Sequence, residues 1–183
     1  MTKEIKIQDC DIVFLSYDEP NCEQNWVDLQ SKVPWAKRVH GVSGPDKAHK
    51  ECAMIAETDR FVTVDGDSII DKRFVDQVLR FDDSTDLENS VISWCGYNVI
   101  NGLMYGNGGL KCWPKPFVLT MKTHEASDSE QSRVDFCWEI NYEQMNSSYS
   151  KTIVNATPEQ AWRAGFREGV KMTLDRGIKV GAY

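Results

Sequence analysis

Three short apolar runs, each followed by residues at helical spacing, constrain the first 80 residues more than any other feature. Asp11-Ile12-Val13-Phe14-Leu15-Ser16 stops abruptly at Tyr17-Asp18-Glu19-Pro20-Asn21. Continuous rather than alternating apolarity predicts a strand buried on both faces, as in a parallel sheet covered by helices. Trp26, Leu29 and Val33 then recur at spacings of three and four, which predicts a short helix closed by Pro34. Arg38 to Val42 reads as a second strand, broken by Ser43-Gly44-Pro45. Ala48 to Thr58 follows as a helix with Ala48, Cys52, Ile55 and Ala56 along one face. Phe61-Val62-Thr63-Val64 is the third strand and runs straight into Asp65-Gly66-Asp67. Asp71 to Phe81 reads as helical through Phe74, Val78 and Phe81, and Asp82 to Asn89 as an acidic loop. The resulting β-α-β-α-β-α order predicts a doubly wound α/β sheet.

The second half carries weaker signals. Val91 to Val99 reads as a strand, Gly102 to Gly109 as a glycine-rich loop, and Thr123 to Arg133 as a polar loop. Pro114 and Pro116 restrict Lys111 to Met121 to an edge strand or an irregular segment. The best start signal is Thr157-Pro158-Glu159-Gln160, with an N-cap Thr, Pro at the first helical position and Gln placed for a capping box. Trp162, Phe166, Val170 and Leu174 form a stripe beyond it, and Gly177 supplies a stop. Val180-Gly181 could begin a further segment.

Composition narrows the function classes. The chain has 183 residues and a formal net charge of −7, without a Lys/Arg cluster, which argues against a broad nucleic-acid-binding patch. Hydrophobic residues at 41% and charged residues at 27% suit one folded domain spanning 1–183. No apolar run approaches the roughly 20 residues of a membrane span. The N-terminus lacks the apolar core of a secretion signal, so a cytoplasmic protein is expected. The six cysteines are widely spaced, with no C-x-x-C, and read as reduced, mostly buried thiols.

Asp65-Gly66-Asp67-Ser68 is the strongest chemical signal. Open α/β sheets bind ligands beyond the carboxyl ends of their strands, where two carboxylates can hold a hard divalent cation and, through it, a diphosphate. The same residues also suit a plain acidic turn with Gly66 at positive φ. Tyr17-Asp18-Glu19 ends the first strand on the same sheet edge and could receive a base or ribose, or be solvated. Arg163, Arg167 and Lys171 share a helix face, which could approach a diphosphate or form ion pairs with Glu159, Glu168 and Asp175. Trp94, Trp113 and Trp138 offer either a stacking platform or core.

Taken together, the acidic end of the first strand, the β-α-β-α-β run, a Lys before a helix and the D-x-D resemble the GT-A glycosyltransferases. The chain resembles short family-2-like members, and its second half is similar to versions carried by tailed bacteriophages. Tyr105-Gly-Asn-Gly-Gly-Leu-Lys-Cys-Trp-Pro, Val134-Asp-Phe-Cys-Trp and Gln160-Ala-Trp-Arg-Ala-Gly-Phe-Arg-Glu-Gly-Val-Lys carry the second half of the match. The resemblance covers roughly residues 11 to 176. It implies a compact GT-A (Rossmann-like) α/β/α sandwich with a mostly parallel central sheet. Residues 10–81 would be the nucleotide-binding half and 90–176 the acceptor and catalytic half.

The resemblance also implies roles. Ser16, Tyr17, Asp18 and Glu19 would hold base and ribose, and Lys47 would approach the nucleotide. Asp65, Gly66 and Asp67 would contact ribose and metal, with Asp67 the main ligand of Mn²⁺ or Mg²⁺. Gly108 and Gly109, in Gly106-Asn107-Gly108-Gly109, would lie against the donor sugar; Arg163 and Arg167 are candidates for the diphosphate by their helix spacing alone. Asp135 is the expected catalytic base, with Glu125 and Glu139 as rivals, and Asp135 could equally cap a short helix. The family's late metal-binding His has no counterpart beyond His124, which could be a ligand or simply solvated. His40 and His49 receive no role. The implied activity is transfer of a sugar, glucose first, from a UDP-sugar to a hydroxyl acceptor: a glycan, a nucleic-acid base or a small molecule. For a phage-encoded protein the compartment would be the host cytoplasm. Two alternatives remain: a haloacid-dehalogenase-like phosphatase or phosphotransferase built on the D-x-D strand, and a non-catalytic nucleotide-sugar-binding module.

Overall fold

The computed structural model describes residues 2–106, 108–138, 140–175 and 178–179. A strand not anticipated from sequence, β1 (Thr2–Lys6), comes first. The three apolar runs then form β2 (Asp11–Ser16), β3 (Lys37–His40) and β4 (Arg60–Asp65). β2 pairs in parallel with both β3 and β4. The crossovers are α1 (Cys22–Lys32) and α2 (Pro45–Ile55), the second started by Pro45 after Gly44 at φ 93°.

The rest of the chain completes the same sheet. β5 (Ser68–Ile70) leaves the D-G-D turn, and β6 (Val78–Asp82) pairs antiparallel with β1 outside the main sheet. β7 (Ser90–Asn98) turns through the two-residue β8 (Met104–Tyr105) into β9 (Leu110–Pro114) and α3 (Lys115–Thr120). α4 (Glu130–Asp135), β10 (Asn141–Thr152) and α5 (Pro158–Met172) follow, then the short antiparallel pair β11 (Leu174–Asp175) and β12 (Ile178–Lys179). The main sheet runs β3-β2-β4-β9-β7-β10-β5, with β8 attached to β7. β9 and β5 run against the other five strands, so the direction is mostly parallel, as expected.

Alternation along the central strands sorts their side chains onto two faces. Ile12, Phe14, Val62, Val64, Ile92, Trp94 and Cys112 pack on one face with Leu29 and Val33 of the α1 region and with Leu79 and Phe81 of β6. Val13, Phe61, Val91 and Trp113 pack on the other with Cys52 and Ala53 of α2, Val118 of α3 and Phe136. The mixed α/β chain is thus layered α/β/α. All six cysteines are free thiols, four of them buried.

Several expectations are corrected. Residues 71–81 are a 3-10 turn (Lys72–Phe74) and a strand, because the alternation that buries Leu79 and Phe81 prevails over the helical spacing of Phe74, Val78 and Phe81. Leu110–Pro114 is a buried interior strand, not an edge. Pro114 is its last residue, and Pro116 falls in the first turn of α3, where a missing N–H costs nothing. Within 123–133 the chain forms a 3-10 turn (His124–Ala126) and the start of α4. Trp94 and Trp113 are fully buried core, so neither offers a platform. Leu174 lies beyond α5, and Gly177, Val180 and Gly181 lie outside the described residues, as does the Trp138 side chain.

His49 of α2 packs edge-on against Trp113 and Phe136 at 5.3 and 5.4 Å, and its Nδ1–H donates to the Pro45 carbonyl at 2.8 Å. Burial pushes its pKa down from 6.5 to about 4. Between those values an unfolded chain binds the proton and the folded chain does not, so stability falls as pH drops through this window. We expect the melting temperature of the native protein to fall relative to His49→Gln between pH 6.5 and 4.5. A parallel pair of melting curves over that range would contradict this.

Candidate active site

β2 and β4 are parallel neighbours, with Leu15 opposite Asp65, so both strands end on one edge. Beyond β2 the chain folds back: the Tyr17 N–H donates to Glu19 Oε2 at 2.8 Å. A Cβ on Gly66 would sit 2.7 Å from that same Oε2 and 2.8 Å from Ser16 Cβ. Gly66 is not among the positive-φ glycines Gly41, Gly44 and Gly102. Its lack of a side chain therefore answers close packing, not the turn geometry expected. Asn25 of α1, 2% exposed, donates from Nδ2 to the Gly66 carbonyl at 2.9 Å and so fixes the turn from below.

The glycine loop closes over the other side. The Asp65 N–H donates to the Gly109 carbonyl at 3.0 Å, and the Gly108 N–H to the Trp94 carbonyl at 2.9 Å. A Cβ on Gly108 would meet the Gly96 backbone, with its Cα at 2.7 Å, and one on Gly109 would fall on Ser68 Oγ and 3.1 Å from Asp65 Cβ. Side chains are excluded there by the protein's own atoms. Asn107 lies outside the described residues. Lys111, 9% exposed, donates from Nζ to the Gly108 carbonyl at 2.8 Å.

The two aspartates sit in unfavourable surroundings as bare charges. Burial raises the Asp65 pKa, against the pull of Lys111 and then Arg167. Burial first, and the Asp65 charge second, push Asp67 up to about 7, with Glu19 adding to the repulsion. Two hard oxygen donors whose mutual repulsion a cation would relieve fit a divalent ion completed by substrate oxygens.

His124 does not join them in a three-ligand group. It packs against Phe136 at 5.2 Å with its Nδ1 buried and unpartnered, and burial lowers its pKa. Among the described residues the one trio of candidate ligands within 4.8 Å is Cys22, Glu23 and His40. There Arg38 donates to Glu23 at 2.5 Å and reaches His40 Nδ1 at 3.1 Å, so a cation already fills the space.

α5 supplies the facing wall. Thr157 Oγ1 accepts from the Gln160 N–H at 3.1 Å, the expected cap, and Gln160 Oε1 accepts in return from the Ala156 N–H at 2.9 Å. Gln160 Nε2 also donates to Asn21 Oδ1 at 3.1 Å, which ties the helix start to the loop after β2. Between that loop and α5 lies a cleft of about 710 Å³, lined by Asp18, Glu19, Asp67, Arg163, Arg167 and neighbouring α5 side chains. Arg163 stands 3.9 Å from Asp18, and Arg167 Nε 3.3 Å from Glu168.

The structure thus brings Asp18, Glu19, Asp67, Arg163 and Arg167 together around one cleft. Ser16 is buried behind it, its Oγ 2.9 Å from His40 Nδ1, and Tyr17 is half exposed at 49%. Lys47 is exposed in the first turn of α2, inside the helix rather than before it, and does not line the cleft. Asp135 is the last residue of α4 and also stands just before a 3-10 turn (Phe136–Trp138), where it caps the start, the structural alternative expected. Its Oδ1 accepts from the Cys137 N–H at 3.0 Å, and its Oδ2 accepts from Lys171 of α5. Burial alone would raise its pKa, but Lys171 holds it below the ordinary value. Exposed Glu125 lies over Gly44 and accepts from the Asp46 N–H at 3.3 Å. Neither carboxylate lines the cleft, and Glu139 lies outside the described residues.

Asn21, Asn25 and Lys111 were missed from sequence. Asn25 had a signal: three residues after Cys22 and four before Leu29, it is a polar residue on the buried stripe of its helix.

Fold and cleft define a mixed α/β protein with a carboxylate-edged site at the carboxyl ends of parallel strands. No family model and no curated protein matches the chain. Among solved structures, a glycosyltransferase involved in the glycosylation of the major capsid of PBCV-1 is similar at a TM-score of 0.45 and 12% identity. That likeness covers 87% of this chain and 99% of the other. HddC from Yersinia pseudotuberculosis is similar at 0.41 and 16%, covering 88% and 79%. A Bacillus anthracis protein called a glucose-1-phosphate thymidylyltransferase, in complex with a sucrose, is similar at 0.46 and 12%, covering 94% and 97%. At such scores and identities, the functional reading of this chain rests on its own residues.

The glycines separate two kinds of position. Gly108→Ala should cost about 1–3 kcal/mol, since backbone must move to admit the methyl group. Gly165→Ala, in α5 with nothing within 4 Å of its Cβ, should gain about 0.5–1 kcal/mol. Urea denaturation of both variants checks the opposite signs.

Proposed function

We propose that the chain is a metal-dependent glycosyltransferase of GT-A type. It would move a sugar, glucose first, from a UDP-sugar to a hydroxyl acceptor. The observation that carries this reading is that Asp67, two residues past Asp65 at the end of β4, lines one cleft with Asp18 and Glu19 from beyond the parallel β2. Asp67, with Asp65 beside it, would hold Mn²⁺ or Mg²⁺, which when bound would act as a Lewis acid on the diphosphate leaving group. Asp18 and Glu19 are placed for ribose and base. Arg163 and Arg167, facing the carboxylates across the cleft, can turn to the diphosphate and screen its charge.

In the transfer, an acceptor oxygen bonds to the anomeric carbon as the bond from that carbon to the diphosphate breaks. The acceptor's proton passes to a carboxylate. Asp135 and Glu125 remain the proposed bases, and the Lys171 contact sets what each variant reports. Lys171 keeps Asp135 ionised at neutral pH but weakens it as a base. One observation favours the phosphatase alternative, namely the buried Lys111 whose charge acts on Asp65. Hydrolysis of p-nitrophenyl phosphate, with no sugar transfer, would support that alternative.

Thermal shift with UDP, in Mn²⁺ or in chelator, is the direct test. UDP should stabilise the native protein only with Mn²⁺, and Asp67→Asn should abolish that gain while still folding. Equal stabilisation in chelator would remove the metal from the reading.

Asp135→Asn separates chemistry from structure. It leaves the Lys171 ammonium without its counter-charge, so a loss of about 1–3 kcal/mol is expected in urea denaturation. If Asp135 is the base, transfer should also fall about a hundredfold or more at temperatures where the variant is folded, with UDP binding kept. Lys171→Met is the control: matching stability loss with transfer retained would assign the chemical effect to Asp135. Glu125→Gln under the same conditions tests the rival.

A further inference from the structure

Trp162 and Phe166, one turn apart on α5, are 67% and 61% exposed and stack on each other, with ring centroids 5.4 Å apart and planes within 15°. Both line the cleft. α5 buries no described residue at all, so these rings are not held outward by a crowded core beneath them. A Trp–Phe pair left in water beside a carboxylate-edged cleft costs hydrophobic free energy that any flat apolar partner would recover.

The charge around the rings narrows that partner. The cleft presents four carboxylates, Asp18, Glu19, Asp67 and Glu159, against the two guanidinium groups of Arg163 and Arg167. A polyanion such as a nucleic-acid strand meets net repulsion there. A neutral polyol with one apolar ring face meets none. Its C–H face can lie on the aromatic pair, and its hydroxyls can donate to carboxylates and bond with Gln160 and Thr157 at the helix start. That combination is the chemistry of a pyranose ring.

We infer that Trp162 and Phe166 form the acceptor platform of the cleft and that the acceptor is a neutral saccharide. The saccharide-binding platform stands on the rings and charges of the cleft, and its role as the acceptor's, beside a donor on the carboxylate side, rests on the glycosyltransferase reading. The platform also takes over the stacking role that sequence had offered to Trp94 and Trp113.

The test uses the full chain, fluorescently labelled, on an array of immobilised neutral and acidic glycans with UDP and Mn²⁺ present. A thermal-shift measurement with UDP is made on the same samples. The native protein should bind neutral glycans. Trp162→Ala/Phe166→Ala should lose at least tenfold in that signal, while its UDP-dependent shift shows whether the donor side persists. Ala favours the helix and both rings are exposed, so the double variant should fold. No glycan bound, acidic glycans only, or equal binding by the double variant would each overturn the inference. So would a change from dimer to monomer in sedimentation on removing the rings, since a second copy would then be the occupant. UDP stabilisation without glycan binding would sink the platform and leave the donor reading standing; glycan binding without UDP stabilisation would do the reverse.

Discussion

Five consecutive residues, Leu110 to Pro114, are buried, and they run antiparallel between β4 and β7. In the middle of the sheet this strand joins the parallel β2-β3-β4 unit to β7 and β10 of the second half. It presents Leu110 and Cys112 to one face of the sheet and Trp113 to the other, so both hydrophobic clusters meet across it. The buried Trp113 indole is satisfied within the sheet, its Nε1–H donating to Thr63 Oγ1 at 2.8 Å. A strand with no wet face cannot slip register without turning its whole apolar set over. The position of the aspartates relative to the glycine loop is therefore fixed by core packing.

The site inherits that rigidity on one side only. Asp65 is bonded to Gly109 through the backbone, the Gly66 carbonyl is held by Asn25, and the buried Lys111 acts on the Asp65 carboxylate. These restraints hold two like charges together at the end of β4 although each disfavours the other. Proteins tolerate such local cost where a ligand repays it. The opposite wall, α5, is attached by polar contacts near its two ends, and none of its described residues joins either cluster.

The parallel strands around the D-x-D were legible because burial on both faces leaves continuous apolar runs. The start of α5 was legible because capping is local chemistry. β10 was not, since Asn141 to Thr152 is mostly polar and partly wet, with two register shifts against β7; its pairing is decided by its neighbours. β6 failed for a different reason. Phe74, Val78 and Phe81 fit a helix and Leu79 and Phe81 fit a strand, and only the presence of β1 as a partner decides between them. At the site, residue types at strand ends pointed to the cleft, but Lys47, His124 and the base candidates depended on loop placement that spacing does not encode. The stripe on α5 was legible as far as Val170, and only the structure shows that it faces water.

α5 is therefore built like a strap, held near its start by Gln160 on Asn21 and Arg163 beside Asp18, and near its end by Lys171 on Asp135. A helix without buried side chains can open while the sheet stays intact, because the free energy of local opening reflects the few interactions broken there and not the global stability. Its amides should exchange with solvent far faster than those of β2 or β4. A ligand gripped beneath it would then be felt first as slowed exchange along this one helix. Part of its binding energy goes into ordering the strap, so occupancy and wall are built together.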